Sequence, residues 1–380
     1  MIDSPSGRSI LVLNYEFPPL GGGASPISYA ITKGYVDAGY HVDVVTMGYA
    51  GLPSFERKDG INIHRVKSGR KKKELSTFPE QLRYLIAAFF AIQALLKKNT
   101  YSHCHCHFLV PTGILAYIFS RRSKLPYIVT SHGSDVPGHN PDRFTLLHRF
   151  TAPVIKAIIR RSRFVTVPSG SLKKLIEKNI LSGRSNDKIV VIPNGSHSLS
   201  KPGLEKENII LSVGRMQPMK GFQYLIPAFI SAGRNDWKLY LVGDGPYRKT
   251  LESLAANHEN IIFTGWLDNS DDRLIDLYNR AKIFALLSQT ESQGIVLVEA
   301  MSAGCAILAS NQAAIQETVS ADTGIHVNPE NFSEVVQKLS QLMTDQNLRD
   351  TFSQAARRRF LERYTWDTII KRYLRLIEAR

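Results

Sequence analysis

Short apolar runs, each followed by a turn rich in Gly or Pro and then a helical stretch, recur along almost the whole chain. The first run is Ser9-Ile10-Leu11-Val12-Leu13. A run that is apolar on both faces suits a parallel strand covered by helices on each side. Behind it lie a glycine-rich turn over residues 16–24, a helix over 27–38 that Gly39 stops, and a strand over 41–46. The same pattern predicts strands over 101–108, 127–130, 164–167 and 189–192, and helices over 84–98, 113–121 and from Leu172. Residues 196–207 are polar, carry Pro202 and Gly203, and read as a linker. The pattern then restarts, with strands over 209–213, 239–242, 261–263, 283–287 and 306–309 and helices over 224–231, 247–257 and 274–280. Two alternating blocks predict an α/β chain of two doubly wound Rossmann-like domains facing across a cleft. The expected bounds are 1–200 and 201–360, with 361–380 as a terminal helical segment.

Composition excludes other classes. Hydrophobic residues make up 43% and charged residues 21% of 380, which rules out a disordered, collagen-like or coiled-coil chain. The longest apolar run, 84–96, is broken by Gln93 and falls short of the roughly 20 residues a bilayer span needs. Residues 1–7 open polar, so no signal peptide is expected. Three cysteines give no disulfide framework, and a reducing cytoplasm fits best. The net charge of +15 is unevenly spread. Residues 1–200 hold 27 Lys and Arg against 12 Asp and Glu, whereas residues 201–380 hold 21 of each. The first half is therefore expected to face something anionic, with nucleic acid and a membrane surface both open, unless it is a solvated basic surface.

Four segments carry chemistry. In Glu291-Ser292-Gln293-Gly294-Ile295-Val296-Leu297-Val298-Glu299, Gly294 opens a helix that Gly304 closes. The first N–H groups of a helix have no partner within it, and the dipole there is positive, so this terminus suits phosphate. Glu291 and Glu299 can touch different parts of a ligand lying across that start; otherwise they are two solvated carboxylates on a surface helix. In Gly214-Arg215-Met216-Gln217-Pro218-Met219-Lys220-Gly221, an Arg fork and a Lys point charge lie five positions apart behind a strand, within reach of one diphosphate. In Pro18-Pro19-Leu20-Gly21-Gly22-Gly23, consecutive glycines let a backbone approach a phosphate. In Thr130-Ser131-His132-Gly133-Ser134-Asp135, a His and a carboxylate follow a strand end, where open sheets place ligands. There His132 could hydrogen-bond a sugar or move a proton near neutral pH.

Two further segments read as structural. Gly243-Asp244-Gly245-Pro246 starts like a dinucleotide fingerprint, but Arg248 stands where the third Gly belongs. It reads as a tight turn with Pro246 at the first helical position. His103-Cys104-His105-Cys106-His107 alternates like a strand, so its His and Cys face opposite sides and do not converge on one ion. Cys104 and Cys106 are expected in the core, and His107 near the cleft.

In this order the segments resemble the GT-B glycosyltransferases of family 4, the glycosyl transferases group 1, over nearly the whole chain. The resemblance rests on Gly21-Gly22, His107, His132-Gly133-x-Asp135, Pro193-Asn194-Gly195, Gly214-Arg215 with Lys220-Gly221, Gly243-x-Gly245-Pro246 and Glu291-x7-Glu299. It implies a retaining hexosyltransferase acting from a nucleotide sugar. The second domain would bind the donor, Arg215 and Lys220 would hold and stabilise the departing diphosphate, and Glu299 would take the ribose hydroxyls. Glu291 would contact the donor sugar, and the Gly294 and Ile295 amides would meet phosphates or sugar. Gly21 and Gly22 would close over the diphosphate, and His132 would sit beside the donor sugar. His107 and Asp135 are acceptor or cleft candidates. The helix from Trp366 would cross back to the first domain. No cofactor or metal is expected, because Arg215 and Lys220 supply the charge a divalent ion would.

UDP is expected ahead of GDP, on family frequency. The acceptor would be a glycan or lipid-linked sugar in cell-surface polysaccharide synthesis. Residues 70–73, Phe78 and the helix over 84–98 suit an anionic cytoplasmic leaflet, which implies a cytoplasmic, peripherally bound enzyme. The chain departs from the family at Gln293, where Phe is frequent, and at Ala313-Ala314, where a Gly pair is common. The first bears on donor-sugar choice, the second on a loop near the base or ribose. A non-catalytic nucleotide-sugar-binding scaffold is one alternative. A basic nucleic-acid binder is another, but no helix-turn-helix, zinc-finger or aromatic RNA platform motif supports it, so no nucleic-acid partner is expected. An NAD-dependent oxidoreductase would need a complete Gly-x-Gly-x-x-Gly behind the first strand.

Overall fold

A computed structural model describes residues 8–139 and 145–379, and the polar opening at residues 1–7 lies outside them. The chain divides into two compact units, Met1–Pro193 with Ile369–Arg380, and Asn194–Thr368. In the first unit the described strands are β1 (Ser9–Leu13), β2 (His41–Met47), β3 (Phe55–Lys58), β4 (Ile61–Val66), β5 (His103–His107), β6 (Tyr127–Thr130), β7 (Phe164–Val167) and β8 (Ile189–Val191). Its helices are α1 (Ala24–Asp37), α2 (Phe78–Lys98), α3 (Thr112–Arg122), α4 (Thr145–Arg161) and α5 (Gly170–Asn179). The sheet runs β3-β4-β2-β1-β5-β6-β7-β8, parallel except for β3 against β4. Leu11, Val45, Met47, Cys104 and Cys106 bury one face of it in a core shared with Tyr84, Ala88 and Ile92 of α2 and Leu115 and Phe119 of α3. Ile31 and Tyr35 of α1 are buried too, and Tyr35 reaches His105 on the opposite face.

In the second unit the strands are β9 (Glu207–Val213), β10 (Lys238–Val242), β11 (Ile261–Gly265), β12 (Ala281–Leu286), β13 (Ala306–Ser310) and β14 (Gly324–Val327). The helices are α6 (Phe222–Ala232), α7 (Arg248–Leu254), α8 (Asp272–Arg280), α9 (Ile295–Ser302), α10 (Ala313–Thr318), α11 (Phe332–Thr344), α12 (Gln346–Arg363) and the start of α13 (Trp366–Glu378). The described strands form an all-parallel sheet in the order β11-β10-β9-β12-β13-β14. The continuous apolar runs of the sequence are these strands, buried on both faces by two clusters of side chains. Both units are thus Rossmann-like.

Strand order fixes where ligands can bind. In each sheet the chain winds one way from its first strand and then restarts on that strand's other side. The reversal falls between β1 and β5 in the first unit and between β9 and β12 in the second. Loops leaving adjacent strands at such a point diverge and leave a crevice at the carboxyl edge.

Several elements differ from the expectations. Residues 196–207, expected as a linker, belong to the second unit, and Glu207 already opens β9. Ser196 N–H donates to Tyr364 O, Leu199 N–H to Ser302 Oγ and Lys201 N–H to Asn279 Oδ1. Helix α2 starts six residues before the expected 84, because Thr77 and Glu80 form a capping box around Pro79. Helix α7 starts at Arg248, so Pro246 precedes it rather than opening it. Arg70, grouped above with the exposed lysines, is buried and donates to the carbonyls of Tyr15, Lys72 and Lys73. From Ile369 onward α13 belongs to the first unit, where the Tyr373 ring lies 5.5 Å from His105.

Candidate active site

At the second unit's reversal point, the loop after β9 carries Arg215 and Lys220, and the loop after β12 carries Glu291 and Gly294. The two loops are tied together. Gln289 N–H and Ser288 Oγ both donate to Met219 O, at 2.8 and 3.0 Å, and Ser310 Oγ from β13 donates to Ser288 O. Gly221 sits at φ 77°, and a Cβ there would lie 1.9 Å from Leu287 O, so only glycine allows the two backbones to touch. The result is a Lys220 Nζ–Glu291 Oε1 contact of 2.6 Å across 71 residues of sequence, both side chains only partly exposed. The Arg215 guanidinium is exposed and pairs with no carboxylate among the described residues.

Gly294 stands at the N-cap of α9 with φ 80°, and no side chain caps that helix; Leu297 N–H turns back to Gly294 O at 2.9 Å, which leaves the Ile295 and Val296 amides without an acceptor inside the helix. Glu299, one turn further in, is half-buried and accepts a 2.8 Å hydrogen bond from the Tyr278 hydroxyl. Loss of water around it raises its carboxyl to about 7, against the tyrosine's opposite pull. A folded value above the ordinary 4.5 means the neutral form is favoured in the fold. That contribution is full below pH 4.5 and is lost as pH rises through about 7. Urea melts of the ligand-free protein are expected to show that loss between pH 4.5 and 7.5, and Glu299→Gln is expected to flatten it; an unchanged slope in the variant would contradict this reading. Tyr278 lies on α8 with no motif around it and was not among the expected site residues; the sequence signal that could have found it is its four-residue spacing from Leu274, which puts both on the buried face.

Gln293 is 2% exposed and has a structural task. Its Oε1 accepts from Asn194 N–H at 2.6 Å, and its Nε2 donates to Asn194 O at 3.1 Å. The departure from the family's Phe therefore bears on how the Glu291 loop is anchored to the Asn194 turn, because both amide atoms are already engaged. Gln293→Leu is expected to cost about 2 kcal/mol, since it leaves a buried N–H and C=O unpaired. Equilibrium denaturation checks this, and a loss under about 0.5 kcal/mol would refute it.

The first unit's candidates gather at its own reversal point and just beyond it. His107 ends β5 and His132 follows β6. Their rings stack with centroids 5.3 Å apart, and His107 Nδ1 and His132 Nε2 share a 3.1 Å hydrogen bond. Burial lowers both, His132 to about 3, so the pair is neutral at physiological pH. His132 is therefore a hydrogen-bonding ring, not the proton carrier near neutrality that its type allowed. Its Nδ1 and the Nε2 of His107 are buried with no partner among the described residues. His105 bonds Tyr35 and Thr130, and His103 bonds Arg163.

Asp135 is buried, with both oxygens engaged inside the first unit. Its oxygens accept from Leu109 N–H, Ser131 Oγ and Gly133 N–H, which fixes the loops that carry His107 and His132. Gly21 N–H donates to Lys73 O at 2.8 Å, and Gly22 N–H points at Glu16 Oε2 at 3.4 Å. In this conformation neither amide is directed at an open site.

Comparison with known proteins agrees with this geometry. Residues 21–197 match Glycosyltransferase Family 4 and residues 198–359 match Glycosyl transferases group 1. The chain is 27% identical to an uncharacterized glycosyltransferase, MJ1607, of Methanocaldococcus jannaschii, over 95% of this chain and 96% of that one. It is 25% identical to N-acetyl-alpha-D-glucosaminyl L-malate synthase of Bacillus anthracis, over 93% of each. Its fold is that of sucrose-phosphate synthase from Thermosynechococcus elongatus, with a TM-score of 0.82 at 21% identity over 97% of this chain and 98% of that one. Anabaena HepE in complex with UDP and glucose has the same fold, with a TM-score of 0.76 at 19% identity over 98% and 99%. With Glu291-x7-Glu299 at the reversal point of a second Rossmann-like unit and both halves matched, the chain belongs to the family 4 glycosyltransferases of the GT-B fold.

Proposed function

We propose that the protein transfers a hexosyl unit from a nucleotide sugar, a UDP-sugar ahead of GDP-mannose, to a glycan or lipid-linked acceptor in cell-surface polysaccharide synthesis. The observation that carries this reading is the 2.6 Å contact of Lys220 with Glu291 beside the uncapped start of α9. A cation suited to the diphosphate and a carboxylate suited to the sugar meet, as they must if the bond to be broken lies between those two groups. Arg215, unpaired among the described residues, adds a second cation to the diphosphate, and the Gly294 and Ile295 amides add donors. Glu299, further along α9, accepts the ribose hydroxyls.

In the reaction the bond from the anomeric carbon to the diphosphate breaks and the acceptor oxygen forms a new bond to that carbon on the same face. Configuration is thereby retained, and the acceptor's proton leaves on the diphosphate. Lys220 and Arg215 stabilise the charge that develops on the leaving group, which removes the need for a divalent ion. UDP is favoured because HepE, a neighbour in fold, binds UDP and glucose.

The test is a panel of UDP-hexoses and GDP-mannose in the presence of a chelator, reading nucleoside diphosphate release. Proton NMR of the first sugar product then reports its anomer. Release from one donor with a retained anomer supports the reading. Turnover that appears only on adding a divalent metal, or an inverted product, refutes those parts of it.

A further inference from the structure

Helix α2 buries one face and leaves another without a partner. Tyr84, Ala88 and Ile92 pack into the core. Phe78, Leu82, Ile86 and Phe90 recur at every fourth residue on a different face and are 58, 50, 57 and 63% exposed. Residues four apart on a helix are neighbours, so these four form one continuous apolar ridge. Leu75, also exposed, extends it beyond the helix start. Single exposed apolar side chains need no explanation, but a contiguous ridge marks an interaction surface.

The charges around the ridge say what covers it. No Asp or Glu occurs between Glu80 and Asp135. Arg83, Lys97, Lys98, Arg121, Arg122 and Lys124 lie in that stretch and are exposed, as are Lys71, Lys72 and Lys73 just before the helix. Glu80 itself is turned inward, accepting from the N–H groups of Lys71 and Thr77. The Arg122 guanidinium sits 5.2 Å from the Phe89 ring, which packs edge-on against Phe90, so a cation stands at the rim of the ridge. A second copy of this chain docking through the same face would bring like charges together. A nucleic acid would use the cations and leave the ridge in water. A bilayer with anionic headgroups satisfies both halves of the surface. No helix among the described residues is long and apolar enough to cross a membrane, so the helix would lie along the surface.

We infer that α2 docks on an anionic lipid bilayer, with Phe78, Leu82, Ile86 and Phe90 sunk to the headgroup boundary and the surrounding Lys and Arg on lipid phosphates. This rests on the lipid-linked acceptor reading only in giving the contact a purpose; the surface stands on its own residues.

The experiment is vesicle co-sedimentation with phosphatidylcholine alone and with about 30% phosphatidylglycerol, at roughly 0.1 and 0.5 M salt. The wild-type protein is expected to bind the anionic vesicles and to bind less at high salt. Ile86→Asp with Phe90→Asp is expected to cut the bound fraction about tenfold or more. Lys97→Glu with Lys98→Glu is expected to weaken binding to anionic vesicles alone. Because all four positions are exposed, the variants should melt like wild type and keep any UDP-induced thermal shift. Wild-type protein that stays in solution, or an Asp variant that still binds, overturns the proposal. So does a wild-type dimer that the Asp variant converts to monomer, since the ridge would then be covered by a second copy. A protein that binds vesicles but turns over no donor would sink the transferase reading and leave this one standing.

Discussion

Lys220→Ala is expected to lower kcat for sugar transfer about 10²–10³-fold while leaving the fold intact. The fold should survive because the Lys220 loop is held by its backbone. Met219 O takes two hydrogen bonds from the β12 loop, and Gly221 packs against Leu287 O. None of these involves the lysine side chain. What the variant removes is the cation nearest Glu291, and it leaves that carboxylate 12% exposed without its partner. The donor's diphosphate would then meet a bare negative charge where a neutralised pair stood, so its KM should rise as well. Glu291→Ala in the same chain relieves the repulsion but restores no cation, so the double variant should recover donor affinity and not kcat. Steady-state kinetics of the two single variants and the double variant separates these effects. A Lys220→Ala enzyme within threefold of wild-type kcat would remove Lys220 from the reaction.

Gly243→Ala should be among the most destabilising small substitutions in the second unit, alongside Gly221→Ala, at about 4 kcal/mol or more. Gly243 has φ 133°, which side-chain-bearing residues rarely adopt, and an added Cβ would lie 2.0 Å from Gly214 O. The clash is with backbone, and the backbone it meets carries Arg215. That strand end cannot retreat cheaply, since Gly214 N–H bonds Val242 O and Met216 N–H bonds Asp244 O. The Gly243-x-Gly245 pair that imitates a dinucleotide fingerprint is a packing device that seats the cationic loop. Gly22→Ala is the control: a Cβ there meets nothing within 4 Å, and the melting temperature should hold. Thermal unfolding of both variants checks the contrast, and equal melting temperatures would contradict it.

The elements that were legible in the sequence are those whose apolar runs have no competing pattern. β1, β6 and β7 sit where their runs end, because a strand covered on both faces has to be apolar throughout. The β3–β4 hairpin went unread although its turn is Asp59-Gly60, both at positive φ, because attention to strand–helix alternation passes over an antiparallel edge. Helix α4 escaped for a different reason, with Pro153 in its interior. In the site, glycines and charged residues after strands pointed to the two loops that leave β9 and β12. Their pairing was hidden, since Lys220 and Glu291 are 71 positions apart and meet only because β9 and β12 are neighbours in the sheet. Asp135 shows the reverse limit. Its type and place suggested a ligand, and only its three donors reveal that it builds the loops instead. Gln293 looked like a change of sugar contact until its amide was seen paired with Asn194.

The central claim is that a nucleoside diphosphate binds at the carboxyl edge between β9 and β12. Hydrogen exchange of the whole protein with and without saturating UDP, with GDP run alongside, tests it most directly. Binding there should slow exchange over residues 214–221 and 288–299 and leave the distant β11 strand unchanged. Protection confined to other segments, or none with either nucleotide at saturation, would contradict it.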